Sequence, residues 1–490
     1  MRRPRLLALA AALAALAAGG LAAPAGAALH WSTPDGSAFV FHTREALVAA
    51  DTDTHPDAYR WSASGLQLLT PGPAIDSRGG VQEWGISADG SRVLLDTRDQ
   101  LVPSDTDTAL DIYLWENGTL TRIAPGAELE IVADASADMS RVFFQTPTPL
   151  VAADTDDDED VYLRENGTTR LVSTSPPGSS GSYGHDLKGT SSDGLHVFEQ
   201  TTEPLVAEDV DGTEDIYERF GSTVRLVSKG RLGSGTAAHH TGMAGIAWRN
   251  PGVSEDGSSA VFITNAPLEP GDVNPGLDLY QRRNGQTRLL TGTQNGIAPP
   301  CPGACSSGYL HGQSSDGAVV ALSAHQRLTP DDQDDALDAF LWEGSSLTRL
   351  GDAAGTGFDL MRVAADGSRV VFSTTSGLVP EDTDGELDAY AREGGQTTLL
   401  TPGTASRAPL VDASRDTEVV LFWTPDSLVP GDPPGTWDMY VSDHGSIGRT
   451  PVGFSDHVLS ADGSRIFYES GSDWYTWSAG TTTLITEAQP

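Results

Sequence analysis

The sequence predicts an all-β protein: a β-propeller of nine four-stranded antiparallel blades, with eight as the alternative count. Three observations predict it. A Ser-x-Asp-Gly turn or close variant recurs at intervals of roughly 50 to 60 residues, the size of a propeller blade or slightly more. Each copy parses into four short strand-like runs. After the N-terminal stretch, no segment sustains a helical period.

That stretch is read as a secretory signal peptide, residues 1–27. Arg2, Arg3 and Arg5 form a basic start, Leu6 to Ala18 is an apolar run, and Ala25-Gly26-Ala27 fits a cleavage site. A membrane anchor is the weaker reading, because the run is short and broken by Gly19-Gly20. No cysteine directly follows the apolar run, so a lipid anchor is not expected. The Arg2-Arg3 pair leaves general and twin-arginine export both open. The remaining residues, 28–490, are read as a single propeller domain, expected to be secreted or in the cell envelope and monomeric.

The repeats follow in order. Their turns fall at Asp35-Gly36, Asp89-Gly90, Asp138-Met139, Asp193-Gly194, Asp256-Gly257, Asp316-Gly317, Asp366-Gly367, Asp416-Thr417 and Asp462-Gly463. Strand A precedes the turn, and strand B follows it, as in Arg92–Thr97. Asp-Gly between strands predicts a two-residue hairpin with both residues at positive φ. Strand C is Asp111–Trp115, and a second hairpin through Asn117-Gly118 leads to strand D, Thr119–Ala124. The alternation of Ile112 and Leu114, then Leu120 and Ile123, predicts half-buried strands. Such units bury their faces only by stacking radially. The ninth copy, His457 to Thr486, keeps four strand-like runs but has no acidic loop.

The B–C connection of most copies carries an acidic pattern, Asp-x-Asp-x-x-x-Asp. The residues are Asp51, Asp53 and Asp57; Asp105, Asp107 and Asp111; Asp154, Asp156 and Asp160; and Asp209, Asp211 and Asp215. The series continues with Asp272, Asn274 and Asp278; Asp332, Asp334 and Asp338; and Asp382, Asp384 and Asp388. In the eighth copy Asp432 and Asp438 remain, with Pro434 in the middle position. Calcium takes several hard oxygens, often from acids two apart on a turning loop, so calcium is the candidate cofactor. The competing reading is that these acids only form turns, accepting bonds from nearby backbone amides.

Composition narrows the partners. The formal charge is −38, and removing the three arginines of residues 1–27 makes it −41. Such a chain repels nucleic acid and anionic lipid. No second apolar run is long enough to span a bilayer. Lys188 and Lys229 are the only lysines. Cys301 and Cys305 are expected to form a local disulfide in an exported protein.

The repeat Ser87-Ala-Asp-Gly-Ser-Arg-Val93, followed by Asp-[Ile/Val/Ala]-Tyr, resembles the TolB-type propeller repeat. It is similar in particular to a secreted variant with acidic B–C loops. The resemblance covers nearly all of residues 28–490 and implies a propeller that binds proteins or ligands, without carrying over a partner. The repeats begin directly after the signal, leaving no room for the N-terminal domain of TolB itself.

Enzymatic signals are sparse. The sequence has no nucleophile elbow, phosphate loop, HExxH or CxxC. His239-His240 lies in a Gly/Ala-rich insertion and reads as a solvated pair. Asn117 and Asn166 match glycosylation sequons but are explained by Asn-Gly turns, and Trp437-Asp438 resembles a WD dipeptide only once. Long linkers at Ser173–Gly189, Lys229–Pro251 and Gly292–Gln313 join strand D to the next strand A, on the same face as the acidic loops. The leading expectation is a non-enzymatic module binding a protein or glycan on that face. A propeller enzyme of glycosidase or lyase type, with its active site at the channel mouth, and a structural wall component are the alternatives.

Overall fold

The computed structural model describes residues 30–72, 80–127, 133–174, 183–234, 242–243, 252–273, 276–292, 308–334, 336–352, 361–403, 406–433, 435–451 and 456–487. The signal segment, His239-His240, Asn274, Cys301, Cys305 and Pro434 lie outside them. Among the described residues there is no helix, and the strands form nine four-stranded antiparallel sheets in sequential order. The count is therefore nine, and the chain is a nine-bladed β-propeller. No helix among these residues is long and apolar enough to cross a membrane.

Blade 2 illustrates the unit: strand A is Gln82–Ile86, B Arg92–Thr97, C Leu110–Glu116 and D Thr119–Ala127. In blade 9 the same four are His457–Leu459, Ile466–Ser470, Asp473–Ser478 and Thr481–Leu484. The D–A linker between blades 4 and 5 adds a small hairpin, Lys229–Gly230 with Gly233–Ser234, that the repeat pattern did not announce.

Burial departs from the half-buried expectation. Strands B and C are buried on both faces, because each sheet is sandwiched between two others; Ile112 and Tyr113 are both fully buried. Successive side chains of strand B enter different cores. Val93 and Leu95 pack with Val40 and Leu69 of blade 1, whereas Leu94 packs with Val142 and Phe144 of blade 3. Each of the nine junctions has such a core. At the last one Phe39, Phe41 and Tyr59 of blade 1 meet Phe467 and Trp474 of blade 9, closing the ring without exchange of a strand.

The Asp-Gly turns differ from the two-residue hairpins expected. Gly90 takes φ 70° but Asp89 does not join it at positive φ. The Gly90 amide instead donates to the Ser87 carbonyl, and Asp89 Oδ1 accepts from the Ser91 amide and the Ser87 hydroxyl. The wider turn lets the x residue of Ser-x-Asp-Gly, or in blades 5 and 9 the Asp after it, donate to the x carbonyl of the next turn. The Ala88 amide donates to Ala137, Ala137 to Ser192, and Ser192 to Glu255. The series runs on from Asp256 to Ser315, then Ala365, Arg415 and Ala461, and from Asp462 to Pro34. A ring of backbone bonds thus ties the turns together, interrupted after Pro34, which has no N–H to give. Inside that ring the Arg415 guanidinium reaches the Glu255 carboxylate, three blades away. The Asn-Gly C–D hairpins are as expected: Asn117 and Gly118 take φ 47° and 91°, the signature of a two-residue type I′ turn.

Candidate functional site

The B–C loops lie at the opposite end of strands B and C from the Asp-Gly turns. A buried aromatic system holds them. In blade 5 Phe262 of strand B lies opposite Tyr280 of strand C, with ring centroids 5.8 Å apart. The same pair is Phe41 and Tyr59, Phe144 and Tyr162, Phe372 and Tyr390, and Phe422 and Tyr440. This stacking aims the phenol along the sheet into the loop. The Tyr280 hydroxyl donates to Asp272 Oδ2 at 2.6 Å. Tyr59, Tyr113, Tyr162, Tyr217, Tyr390 and Tyr440 make the same bond to Asp51, Asp105, Asp154, Asp209, Asp382 and Asp432. The fixed eight-residue spacing between first Asp and Tyr is visible in the sequence, where it reads only as a repeat signature. In blade 6 Phe340 replaces the tyrosine, and Asp332 receives no such donor.

The turn-forming reading describes much of what the acids do. Asp51, Asp105, Asp154 and Asp209 each accept the amide two residues on through Oδ1. Asp53, Asp107, Asp156, Asp211, Asp334 and Asp384 do the same. The third acid opens strand C and meets strand D. Here two kinds of loop separate, a division the sequence reading missed. Opposite the strand-C aromatic stands Leu68, Leu171, Leu226, Leu289 or Leu399 in blades 1, 3, 4, 5 and 7. In blades 2, 6 and 8 it is Arg122, Arg349 or Arg449.

In the leucine blades a hydroxyl two residues further on serves the third acid. Thr70 donates to Asp57 at 2.6 Å and Thr291 to Asp278 at 2.7 Å; Ser173, Ser228 and Thr401 serve Asp160, Asp215 and Asp388. In the arginine blades that position is Ala124, Gly351 or Pro451, and the guanidinium takes over. Arg122 lies 2.8 Å from Asp111, 3.2 Å from Asp107 and 3.4 Å from Asp105, touching all three acids. Arg349 pairs with Asp338 at 2.6 Å, and Arg449 lies 3.3 Å from Asp432 and also pairs with Asp438.

Burial lifts several of the third acids well above the usual carboxylate range. Burial first, then Asp209 and Asp211, push Asp215 up to about 7. Asp57 and Asp160 are each pushed up to about 6 by burial and by the other acids of their loops. In blade 6 burial holds Asp338 up at about 7 even beside Arg349. Among the described residues, the three-acid groups of blades 1 to 4 each bring one ligand oxygen per acid within 4.8 Å of one another. Such a set of hard carboxylate oxygens has the donor chemistry of a calcium-type site.

No family model matches the chain, and no curated protein matches it. Among solved structures it resembles the β-propeller domain of the Trilobed protease from Pyrococcus furiosus, at 10% identity and TM-score 0.32, covering 74% of this chain and 94% of that one. It also resembles Porphyromonas gingivalis dipeptidyl peptidase 4, at 12% identity and TM-score 0.46, covering 89% of this chain and 63% of that one. A third likeness is to a putative TolB from Agrobacterium tumefaciens, at 17% identity and TM-score 0.28, covering 59% of this chain and 89% of that one. These likenesses carry no activity across to this chain.

Proposed function

We infer that this chain is an exported binding module whose contact surface is the face of B–C and D–A loops. One observation carries the reading: the loops share a buried frame while their outermost residue varies. The position between the first two acids is exposed in every loop where it is described, and it is Thr52, Thr106, Thr155, Val210, Val273, Gln333, Thr383 or Pro433. Val210 is 81% exposed and Val273 65%, with Trp437 exposed in the eighth loop. A rigid frame presenting varied tips is the arrangement by which scaffold folds place recognition on loops. The resemblance of the repeats to the TolB-type family supports a protein- or glycan-binding role. The signal-like residues 1–27 support a location in the cell envelope or outside the cell, and the net charge of −38 favours partners other than nucleic acid.

The test is binding of the purified chain to an array of cell-wall glycans and to isolated envelope fractions, beside a Val210→Asp, Val273→Asp variant. Retention that the variant loses supports the module. Turnover of a glycan, peptide or ester by the purified chain, with no retained ligand, would establish the enzyme reading instead.

A further inference from the structure

We propose that the blade 4 loop formed by Asp209, Asp211 and Asp215 binds a calcium-class divalent cation, in the place a guanidinium takes in blade 2. The inference goes beyond the binding-module reading and does not depend on what the loop face contacts. Two observations carry it besides the acids themselves.

The first is the set of unsatisfied oxygens in blade 4. Asp215 is 1% exposed. Its Oδ1 accepts from the Ser228 hydroxyl, while its Oδ2 is buried with no donor. Asp211 spends Oδ1 on Thr213, and its Oδ2 is likewise buried with no donor. Asp209 is committed to Tyr217 and to the Asp211 amide, which holds it against the other two. A buried carboxylate oxygen that accepts nothing is costly, and two of them in one loop call for a shared positive partner.

The second is the natural substitution at one register position. Tyr113 pairs with Arg122 in blade 2, and Tyr217 pairs with Leu226 in blade 4. Around Arg122 the three carboxylates of blade 2 gather on one cation, at 2.8 to 3.4 Å. Leu226 is buried against Leu205 and Tyr217 and supplies no charge. The same three acids thus face a cation supplied by the chain in one blade and none in the other. All the donors are carboxylate oxygens, with no thiolate or imidazole among the three. That suits calcium, which accepts irregular multi-carboxylate shells, better than zinc or magnesium.

The experiment is calcium titration by calorimetry of the full exported chain after chelator treatment, at constant ionic strength. Two variants accompany it, each checked for its native circular dichroism. Asp211→Asn is expected to lower the number of bound calcium ions by one. Arg122→Leu, which opens the blade 2 loop, is expected to raise it by one. Failure of the parent chain to bind calcium at millimolar concentration would overturn the proposal. So would an unchanged stoichiometry in Asp211→Asn, or proton uptake near neutral pH with no calcium binding, which would mean that Asp211 and Asp215 share a proton instead. If Arg122→Leu does not fold, the Asp211→Asn arm still decides.

Discussion

The amide of Asp462 donates to the carbonyl of Pro34 at 2.9 Å, and there the ninth blade meets the first. Directly behind it Phe467 stacks on Phe39 with ring centroids 4.4 Å apart and planes 4° from parallel. Among the described residues no strand crosses this junction; the apolar core, the turn-to-turn bond and the Arg465 guanidinium over the Trp61 ring close it. Phe467 is fully buried. Phe467→Ala should therefore cost about 3–5 kcal/mol, the usual range for a buried phenylalanine. Urea unfolding measures it; a loss below about 1 kcal/mol would show that closure lies elsewhere.

The turn glycines face a second constraint. Gly463 takes φ 73°, and a Cβ there would lie 2.6 Å from a methyl of Val419 in the preceding blade. Gly463→Val should lower stability by about 2 kcal/mol or more, combining left-handed strain with overpacking. Thermal unfolding of the variant checks this, and an unchanged melting temperature would contradict the packing. The third blade shows the accommodation such a side chain needs. Met139 sits at φ 50° in the same position, with its Cε over Gly85, where a Cβ would be only 3.0 Å away.

The phenol-to-acid bond is the support of each B–C loop. Tyr280→Phe removes the 2.6 Å donor from Asp272 while keeping the ring that stacks on Phe262. The expected loss is about 1–3 kcal/mol, the cost of taking a partner from a buried polar group. Denaturant unfolding gives the magnitude, and hydrogen exchange should show faster exchange at residues 268–273 alone. Uniform loosening of the blade would contradict a local support.

One ion pair should make stability depend on pH. His42 lies 3.1 Å from Glu83, which is fully buried. Burial works against the charged imidazole, but the bond and charge of Glu83, with Glu469 and Asp456, outweigh it and raise the His42 pKa; His30 is its neutral neighbour. A histidine raised on folding stabilises fully below its unfolded value, about 6.5, and loses that contribution as pH rises through the folded value. His42→Gln should therefore destabilise most at pH 5.5, with the difference from the parent shrinking by pH 8. Equal differences at the two pH values would refute the linkage.

Much of this was legible along the chain. Apolar runs broken by Asp-Gly and Asn-Gly announced strands and turns, because strand and hairpin chemistry is local. The repeat implied stacking, because one four-stranded sheet leaves both faces uncovered. Asn117 at positive φ was readable from its Gly118 neighbour. Asp89 was misread, because Asp-Gly also suits a wider turn in which the acid accepts from Ser87 and Ser91.

The acidic loops divide in the same way. Their carboxylates and spacing follow from the amino-acid order alone, and so does the chemistry they can offer a cation. Whether the chain itself brings a positive charge to the third acid depends on a residue eleven positions later. Arg122 brings Asp111 a positive charge and Leu226 brings Asp215 none, because the antiparallel pairing of strands C and D sets each opposite the tyrosine two residues beyond that acid. The nine turns likewise become a ring only when the sheets stack. A carbonyl such as that of Pro34 finds its donor some 430 residues away in Asp462, and packing rather than local preference sets that distance.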